Sequence, residues 1–273
     1  MLHRYFIVLK VLRINDAICA YKNKTYICVE MTQNTYCKNI PMNSKKGQLY
    51  SYEYPHPAVT TDCVIWGFDG KCLNILLIKR GNEPFKGMWA LPGGFVRMDE
   101  TAEEGAKREL REETGLKDIF IEQFYVFSDV TRDPRERVIT IAFYGLVKKT
   151  KVFGGDDAAK AQWFKMDNMP PLAFDHGLII QTAMDKLREK IHFEPIGFEL
   201  LPDVFTMSQL QHLYEAILDV KFDRRNFYRK MTSLEVLTAE EREFFTSRRI
   251  PTKYRFNKIR YEELKKQRRL FDF

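Results

Sequence analysis

Three glutamates at helical spacing are the side chains in this sequence best suited to chemistry. Glu109 lies three positions before Glu112 and four positions before Glu113, so on a helix the three carboxylates share one face. Carboxylates held together repel one another unless a cation lies among them, and hard oxygen donors favour Mg2+, Mn2+ or Ca2+ over zinc. The spacing therefore predicts a divalent metal site, with Mg2+ suited to a substrate that supplies phosphate oxygens. The alternative is a solvated, charged helix.

The neighbouring residues predict how this helix begins and ends. Thr101 followed by Glu104 is a capping-box pattern, so a helix should begin near Thr101. Gly115 suits the left-handed residue that ends a helix. Gly93 and Gly94 allow a backbone turn to pass close to the glutamates and present a carbonyl there. We therefore expect a helix from about residue 101 to 115, with a glycine turn beside it.

A longer pattern surrounds the glutamates. Residues 94–116 are GFVRMDETAEEGAKRELREETGL and match the Nudix box Gly-x5-Glu-x7-Arg-Glu-U-x-Glu-Glu-x-Gly-U (U aliphatic) at every defined position. The chain thus resembles the Nudix superfamily, whose members typically cleave nucleoside diphosphates linked to another group with Mg2+ or Mn2+. Arg108 can bond Glu100 or Glu109 and hold the carboxylates in place. The resemblance implies two sets of residues: catalytic Glu100, Arg108, Glu109 and Glu112, and metal-binding Gly93, Glu109, Glu112 and Glu113.

The flanking sequence predicts the elements that carry the box. Apolar and β-rich runs predict strands, and a helical period follows them. This order resembles the α/β fold of Nudix proteins, a mixed αβα sandwich. The strands are expected at residues 58–66, 73–79, 119–127 and 138–147, and the helix at 175–191 with Leu178, Ile179, Thr182, Leu187 and Ile191 as its apolar positions.

An arginine-rich loop lies between the last two of these strands. Thr131 to Arg137 resembles the arginine–aspartate–proline–arginine loop of ADP-ribose-type Nudix proteins and related regulators. The resemblance implies that Arg132, Arg135 and Arg137 bind a diphosphate; the alternative is a polar hairpin loop. Pro134 lies further beyond the box than is usual in Nudix ADP-ribose pyrophosphatases. Two downstream features are considered for catalysis: Asp156 and Asp157 are weak candidates for a base, and His176 is interpreted as structural.

A second module follows Pro195. Thr206 can cap a helix from Met207 to Leu218, with Met207, Leu210, Tyr214, Ile217 and Leu218 as its apolar stripe, and Asp223 can cap a second helix that ends at Leu234. The four residues between them give the spacing of a helix-turn-helix, and Tyr254 and Phe256 alternate with Arg255 as in a basic β-wing. The candidate DNA-binding residues are Arg224, Arg225, Arg229 and Lys230 on the second helix and Arg249 and Lys253 on the wing.

A Nudix domain followed by a winged helix-turn-helix resembles the NrtR family of NAD-related regulators and their sugar-responsive relatives. The segments FTMSQLQHLYEAI, RNFYRKM and YRF carry this resemblance. It implies a homodimer that binds double-stranded operator DNA and senses ADP-ribose, a related nucleoside diphosphate or a sugar, with hydrolysis possible because the box is intact. The alternative is an ADP-ribose pyrophosphatase, giving AMP and ribose 5-phosphate, whose basic C-terminal module serves dimerisation.

Charge and cysteine content fit this division. The net charge of +7 is local, because residues 221–269 hold sixteen Lys and Arg against seven Asp and Glu, which favours a polyanionic partner. Five cysteines without a Cys-x-x-Cys pair indicate reduced thiols and a cytoplasmic location, and no apolar run is long enough for a membrane span.

The predicted domains are 46–192 (Nudix) and 193–273 (winged helix-turn-helix). Residues 1–45 are an extension of unknown role: 1–41 is either a gene-model extension before a natural start at Met42 or a small accessory hairpin.

Overall fold

The computed structural model describes residues 10–14, 17–22, 25–28, 52–153, 158–240 and 251–266, and in the first three ranges the backbone alone. Three short strands lie in those ranges: β1 (Lys10–Ile14), β2 (Ala17–Lys22) and β3 (Thr25–Cys28). They pair antiparallel in the order β1-β2-β3. Met42 lies outside the described residues, so the role of residues 1–45 stays a prediction.

A seven-stranded mixed sheet forms the centre of the fold. Its main path runs β10-β5-β4-β9-β8, with β6 paired to β5 and β7 paired to β4. The two longest strands, β4 and β9, are parallel, and the other pairs are antiparallel. The strands are β4 (Ala58–Phe68), β5 (Leu73–Arg80), β6 (Trp89–Ala90), β7 (Gly93–Phe95), β8 (Glu122–Phe127), β9 (Val138–Lys148) and β10 (Ala158–Lys165).

Both faces of the sheet are covered by a helix, which explains why residues 63–66 of β4 and 75–78 of β5 are apolar without a break. Successive side chains of a strand point to opposite faces. Cys63 and Ile65 of β4 therefore face helix α1 (Ala102–Thr114), and Val64 and Trp66 face helix α2 (His176–Phe193). The predicted αβα sandwich is confirmed.

Two sequence predictions differ from the structure in detail. The strand expected at 119–127 begins only at Glu122, after Asp118 in a left-handed conformation and Ile121, which is buried in the core on the α1 side of the sheet. In α2, Leu178 was expected on the apolar face but is 59% exposed. Ile179, Leu187 and Ile191 are buried as predicted, and the other buried residues of α2 are His176, Ile180, Ala183 and Met184.

The C-terminal module is a winged helix. Helices α3 (Met207–Leu218) and α4 (Arg224–Ser233) are followed by a small antiparallel sheet and by helix α5 (Lys258–Lys266). The predicted caps are present, because the side chains of Thr206 and Asp223 accept from backbone N–H groups in the first turns. Leu213, which was not in the predicted stripe, is fully buried, whereas Met207 and Leu218 are half-buried. The sheet has the order β11-β13-β12, formed by β11 (Phe205–Thr206), β12 (Leu237–Ala239) and β13 (Lys253–Phe256).

The winged helix and the sandwich share one hydrophobic core. Buried side chains of the sheet and of α2 form a single cluster with the inner face of α3 and with Phe227 and Met231 of α4. Arg188 of α2 reinforces this contact, because its Nε donates to the Ile217 carbonyl of α3 at 2.8 Å. No helix in the described part of the chain is long and apolar enough to cross a membrane.

Candidate functional site

The ends of α1 fix the position of the three glutamates. Thr101 and Glu104 form the predicted capping box: the Thr101 N–H donates to Glu104 Oε2 at 2.8 Å, and Thr101 Oγ1 accepts from the Glu104 N–H at 3.2 Å. Gly115 ends the helix with a left-handed φ of 74°. Ala106 and Leu110 are buried against the sheet, and Glu113 and Glu109, on the adjoining side of α1, border the glycine turn.

Arg108 holds the carboxylates of the site together. Its Nε and Nη2 donate to the two oxygens of Glu100 at 2.9 and 2.6 Å, and its Nη1 donates to Glu109 at 2.6 Å and to Glu112 at 3.1 Å. The hydrogen bonds from Arg108 lower the pKa of Glu100. Burial raises the pKa of Glu109 despite the same partner. Arg108 thus contacts Glu100 and Glu109, the two residues that the sequence offered as its partners, and it contacts Glu112 as well.

The glycine turn approaches the glutamates through its N–H group. The Gly93 N–H donates to Glu113 Oε2 at 2.9 Å, whereas the sequence predicted that the turn presents a carbonyl. A Cβ atom at Gly93 would lie 2.0 Å from the Thr61 carbonyl oxygen, and one at Gly94 would lie 2.4 Å from Glu109 Oε1. Only glycine therefore allows β7 to pass between β4 and α1.

We expect Gly93→Ala to lower the free energy of unfolding by about 3 kcal/mol or more, because a backbone oxygen cannot move aside as a side chain can. Urea denaturation measures the change. Gly177→Ala is the matched control, since a Cβ there meets nothing within 4 Å and alanine is the better helix former by about 1 kcal/mol. An unchanged midpoint for Gly93→Ala would contradict this packing.

The chemistry of the glutamates fits a divalent cation. Three carboxylates lie near the glycine turn, and one of them has a pKa raised by burial, so a hard cation would stabilise their charged form. In this structure Arg108 supplies positive charge to Glu109 and Glu112. Within the described residues no three Asp, Glu, His or Cys side chains converge as a ligand set. The predicted metal ligands Gly93, Glu109, Glu112 and Glu113 therefore stay a prediction that rests on donor type.

The arginines of the 131–137 loop have different environments. Arg132 is buried and donates to both oxygens of Asp175 at 2.9 and 2.8 Å and to Asp62 at 3.3 Å. Arg137 is exposed and donates to the carbonyls of Ser128 and Asp129. The structure thus gives Arg132 a role in attaching the loop to the start of α2, which the sequence did not indicate.

Arg135 is the loop arginine that lies over aromatic rings at the surface. Its guanidinium pairs with Asp133 at 2.7 Å and lies 5.1 Å from the ring centroid of Phe95 and 5.7 Å from that of Phe174. Arg80, at the end of β5, lies over the same Phe174 ring at 4.8 Å. Sequence reasoning did not select Arg80, Phe95 or Phe174, although an arginine at the end of a buried strand just before the box was a usable signal.

His176 has the structural role predicted for it. Its Nδ1 accepts from the Leu91 N–H at 2.8 Å, and its Nε2 lies 3.4 Å from Asp62. Burial lowers the pKa of His176, so the ring is neutral at pH 7. The imidazole therefore joins the start of α2 to the segment before the glycine turn. Asp156 and Asp157, the weak candidates for a base, lie outside the described residues.

The second helix of the helix-turn-helix presents a basic face. Phe227 and Met231 of α4 are buried in the shared core, which turns the opposite face outward. Three of the predicted DNA-binding residues, Arg224, Arg225 and Arg229, are exposed, and Lys230 is half-buried. Arg224 and Arg225 lie in the first turn of α4, the part of a recognition helix that meets base edges.

The turn before α4 is fixed by a buried carboxylate. Glu215 accepts from Gln211 and from the Phe222 N–H, and it pairs with Lys221 at 2.9 Å. Burial acts to raise the pKa of Glu215, but these hydrogen bonds outweigh it and hold the pKa at about 2. Asp219, with a φ of 55°, ends α3 and begins the turn. The geometry between the two helices is therefore set by residues that the sequence did not single out.

The wing is described in part. Lys253 is exposed on β13, and Arg255 beside it pairs with Glu240. Tyr254 is buried, and its hydroxyl lies 3.1 Å from that of Tyr228 on α4, which links the wing to the helix. Arg249, the other predicted wing residue, lies outside the described residues.

Fold and site together define a Nudix domain joined to a DNA-binding winged helix. The family model for the NUDIX domain matches residues 56–183, and the model for the NrtR DNA-binding winged helix domain matches residues 197–256. An ADPR responsive transcriptional repressor, NtrR, of Acinetobacter baylyi is 32% identical over 214 residues, which cover 77% of this chain and 86% of that protein. The chain therefore belongs to the NrtR family.

Two further relatives match one or both parts. An ADP-ribose pyrophosphatase of Methanocaldococcus jannaschii is 48% identical over 141 residues, covering 51% of this chain and 81% of that protein. The crystal structure of Shewanella oneidensis NrtR complexed with a 27mer DNA superposes with a TM-score of 0.63 at 26% identity, covering 75% of this chain and 95% of that one. The predicted fold class and family are confirmed by these matches.

Proposed function

We propose that this protein is a transcriptional regulator that binds operator DNA through its winged helix and senses ADP-ribose, or a related nucleoside diphosphate, through its Nudix domain. The observation that carries this proposal is the exposed arginine face of α4, a helix packed on one face of the sheet whose other face carries α1 and the Arg108–glutamate site. Arginine supplies both phosphate contacts and bidentate base contacts. The candidate DNA contacts are Arg224, Arg225, Arg229, Lys230, Arg249 and Lys253.

The effector is assigned from the site and from the relatives. The Acinetobacter protein is described as ADPR responsive, and the Methanocaldococcus protein as an ADP-ribose pyrophosphatase. Both descriptions favour ADP-ribose over a sugar effector. Arginines beside a carboxylate cluster also suit a ligand that carries a diphosphate, because the guanidinium group matches phosphate oxygens bidentately.

Hydrolysis of ADP-ribose to AMP and ribose 5-phosphate is a second proposed activity, supported by the intact glutamate cluster. Glu109, Glu112 and Glu113 would hold Mg2+ or Mn2+, which supplies charge neutralisation at the diphosphate. Arg108, anchored by Glu100, positions two of these carboxylates. If hydrolysis alone were retained, the C-terminal module would serve dimerisation.

The remaining assignments follow from this role. Helix-turn-helix regulators commonly bind two half-sites about one DNA turn apart, so we propose a homodimer on a near-palindromic operator. We also propose a cytoplasmic location and a division at residues 46–192 and 193–273, with the first part sensing the ligand and the second binding DNA.

A gel shift with the DNA upstream of the protein's own gene tests the proposal. We expect a specific complex whose affinity changes about 5- to 150-fold when ADP-ribose is added, the usual range of coupling between two sites. Light scattering of the same sample should give the mass of a dimer. A scrambled duplex of equal length is the control. Equal affinity for both duplexes, with or without ADP-ribose, would leave hydrolysis as the function.

A further inference from the structure

Helix α2 runs from the arginine-rich loop of the Nudix domain to the winged helix. Its start is fixed to the 131–137 loop, because Arg132 donates to both oxygens of Asp175, the residue before the helix, at 2.9 and 2.8 Å. Its 18 residues span about 27 Å at the usual rise of a helix. A displacement of Asp175 would therefore be carried along α2 to its far end.

The far end of α2 is fixed to the winged helix by hydrogen bonds. Arg188 Nε donates to the Ile217 carbonyl in the last turn of α3 at 2.8 Å. Glu194, which directly follows α2, accepts from the Tyr261 hydroxyl of α5 at 3.0 Å. We call this second bond the Tyr261–Glu194 contact. Both bonds are partly buried, where a hydrogen bond is stronger than in water.

The ring of Tyr261 is positioned by packing that does not depend on its hydroxyl. It lies 5.6 Å from the ring of Phe256, at the end of β13. Phe256 in turn stacks on Phe198 at 4.0 Å, and Phe198 is buried in the shared core shortly after α2. Helix α5 is itself anchored by Leu264, which is 1% exposed. Removing the hydroxyl alone would therefore break the bond to Glu194 and leave the packing in place.

The charge of Glu194 strengthens its bond with Tyr261. A hydroxyl that donates to a carboxylate forms a stronger bond than one that donates to a neutral acceptor. Burial raises the pKa of Tyr261, and the charge of Glu194 raises it further, so the hydroxyl keeps its proton at pH 7. Both residues lie outside the ranges that match the two family models, 56–183 and 197–256. The contact thus joins the two domains through residues that belong to neither match.

We infer that the Tyr261–Glu194 contact and Arg188 make α2 a rigid link, which transmits ligand binding at the 131–137 loop to the winged helix. This inference rests on the proposed sensing of a nucleoside diphosphate and names the element that carries its signal. The far end of α2 moves α3 and α5 only while both bonds hold. Weakening either bond lets α2 shift against the winged helix, so the ligand has less effect on DNA affinity.

The coupling factor, by which a ligand changes the dissociation constant for operator DNA, tests the link. Fluorescence anisotropy measures it with α,β-methylene ADP-ribose, whose carbon bridge prevents hydrolysis, and DNA from upstream of the protein's own gene. We expect Tyr261→Phe to reduce the coupling factor about 3- to 30-fold, the usual effect of a substitution on coupling between sites. DNA affinity without the analogue, and calorimetric affinity for the analogue without DNA, should stay at their wild-type values.

Tyr125→Phe is the matched control, because it removes the same hydroxyl from an exposed tyrosine on β8, the outermost strand of the sheet. It should leave the coupling factor unchanged. Glu194→Gln should reduce the factor less than Tyr261→Phe, since an amide oxygen still accepts but carries no charge. The double variant should match Tyr261→Phe alone, because both changes act through one bond. Arg188→Gln should reduce the factor through the other bond.

Two results would overturn the link in distinguishable ways. If the analogue leaves the DNA affinity of wild type unchanged, the proposed sensing is wrong and the link fails with it. If wild type responds, and Tyr261→Phe and Arg188→Gln both keep its coupling factor, the sensing stands and α2 is not the link. Should Tyr261→Phe fail to fold, Glu194→Gln decides by the same measurement, because an unchanged coupling factor there would exclude the Tyr261–Glu194 contact.

Discussion

Replacing Glu112 by Gln is expected to lower the rate of ADP-ribose hydrolysis at least about 100-fold, the scale of losing a catalytic electrostatic group. Glu112 is the most accessible of the three glutamates. It forms ion pairs with Arg108 at 3.1 Å and with Arg97 at 3.8 Å. The amide keeps the shape of the side chain but removes the charge that would bind a cation. Release of AMP in Mg2+ or Mn2+ measures the rate, and Glu113→Gln should behave alike.

Glu103→Gln is the control for this experiment. Glu103 lies on the same helix but is exposed, and it pairs with Lys107 away from the site. Its replacement should leave the rate unchanged. Equal activity of wild type, Glu112→Gln and Glu113→Gln would exclude the glutamate cluster as the source of hydrolysis. If wild type releases no product from any nucleoside diphosphate, the Nudix domain is a sensor without turnover.

Replacing Arg225 by Ala is expected to weaken specific DNA binding by about 1–3 kcal/mol and to relax specificity at one base position. Arg225 is exposed in the first turn of α4, where a recognition helix meets base edges. Lys253→Ala, on the wing strand, should instead weaken specific and non-specific binding alike and reduce the salt slope by about one. Fluorescence anisotropy over a salt titration separates the two effects.

Lys186→Ala is the control, because Lys186 is an exposed cation on α2 that pairs with Glu189. It should leave the affinity and the salt slope unchanged, and none of the three changes should alter hydrolysis. An Arg225→Ala/Lys253→Ala double variant that binds the upstream DNA as tightly as wild type at every salt concentration would falsify the regulator proposal. The C-terminal module would then be an accessory of the enzyme.

Local sequence signals predicted the framework of the site well. The cap at Thr101, the end of α1 at Gly115 and the contacts of Arg108 with Glu100 and Glu109 all involve residues close in the chain. Their geometry follows from the helical repeat, so the spacing alone is sufficient. The caps of α3 and α4 were predictable for the same reason.

The other half of the site depends on contacts between distant residues. Arg132 meets Asp175 43 positions away and Asp62 70 positions away, and His176 meets Leu91 85 positions away. Only the folded sheet shows that Arg132 is directed inward while Arg135 faces the surface. Likewise, Leu178 and Ile179 are equally apolar in sequence, and the packing of α2 on the sheet decides which one is buried.

The shared core has a consequence for how the protein responds to heat. One hydrophobic cluster contains Leu210, Tyr214 and Ile217 of α3 together with Trp66 and Leu187 of the sandwich. Unfolding of either part would therefore expose apolar surface of the other to water. The two parts should therefore melt in one transition. A ligand that binds the native sandwich raises that melting temperature whatever it does to DNA affinity. An effector that releases the protein from its operator would thus still leave it more resistant to denaturation than the protein without any ligand.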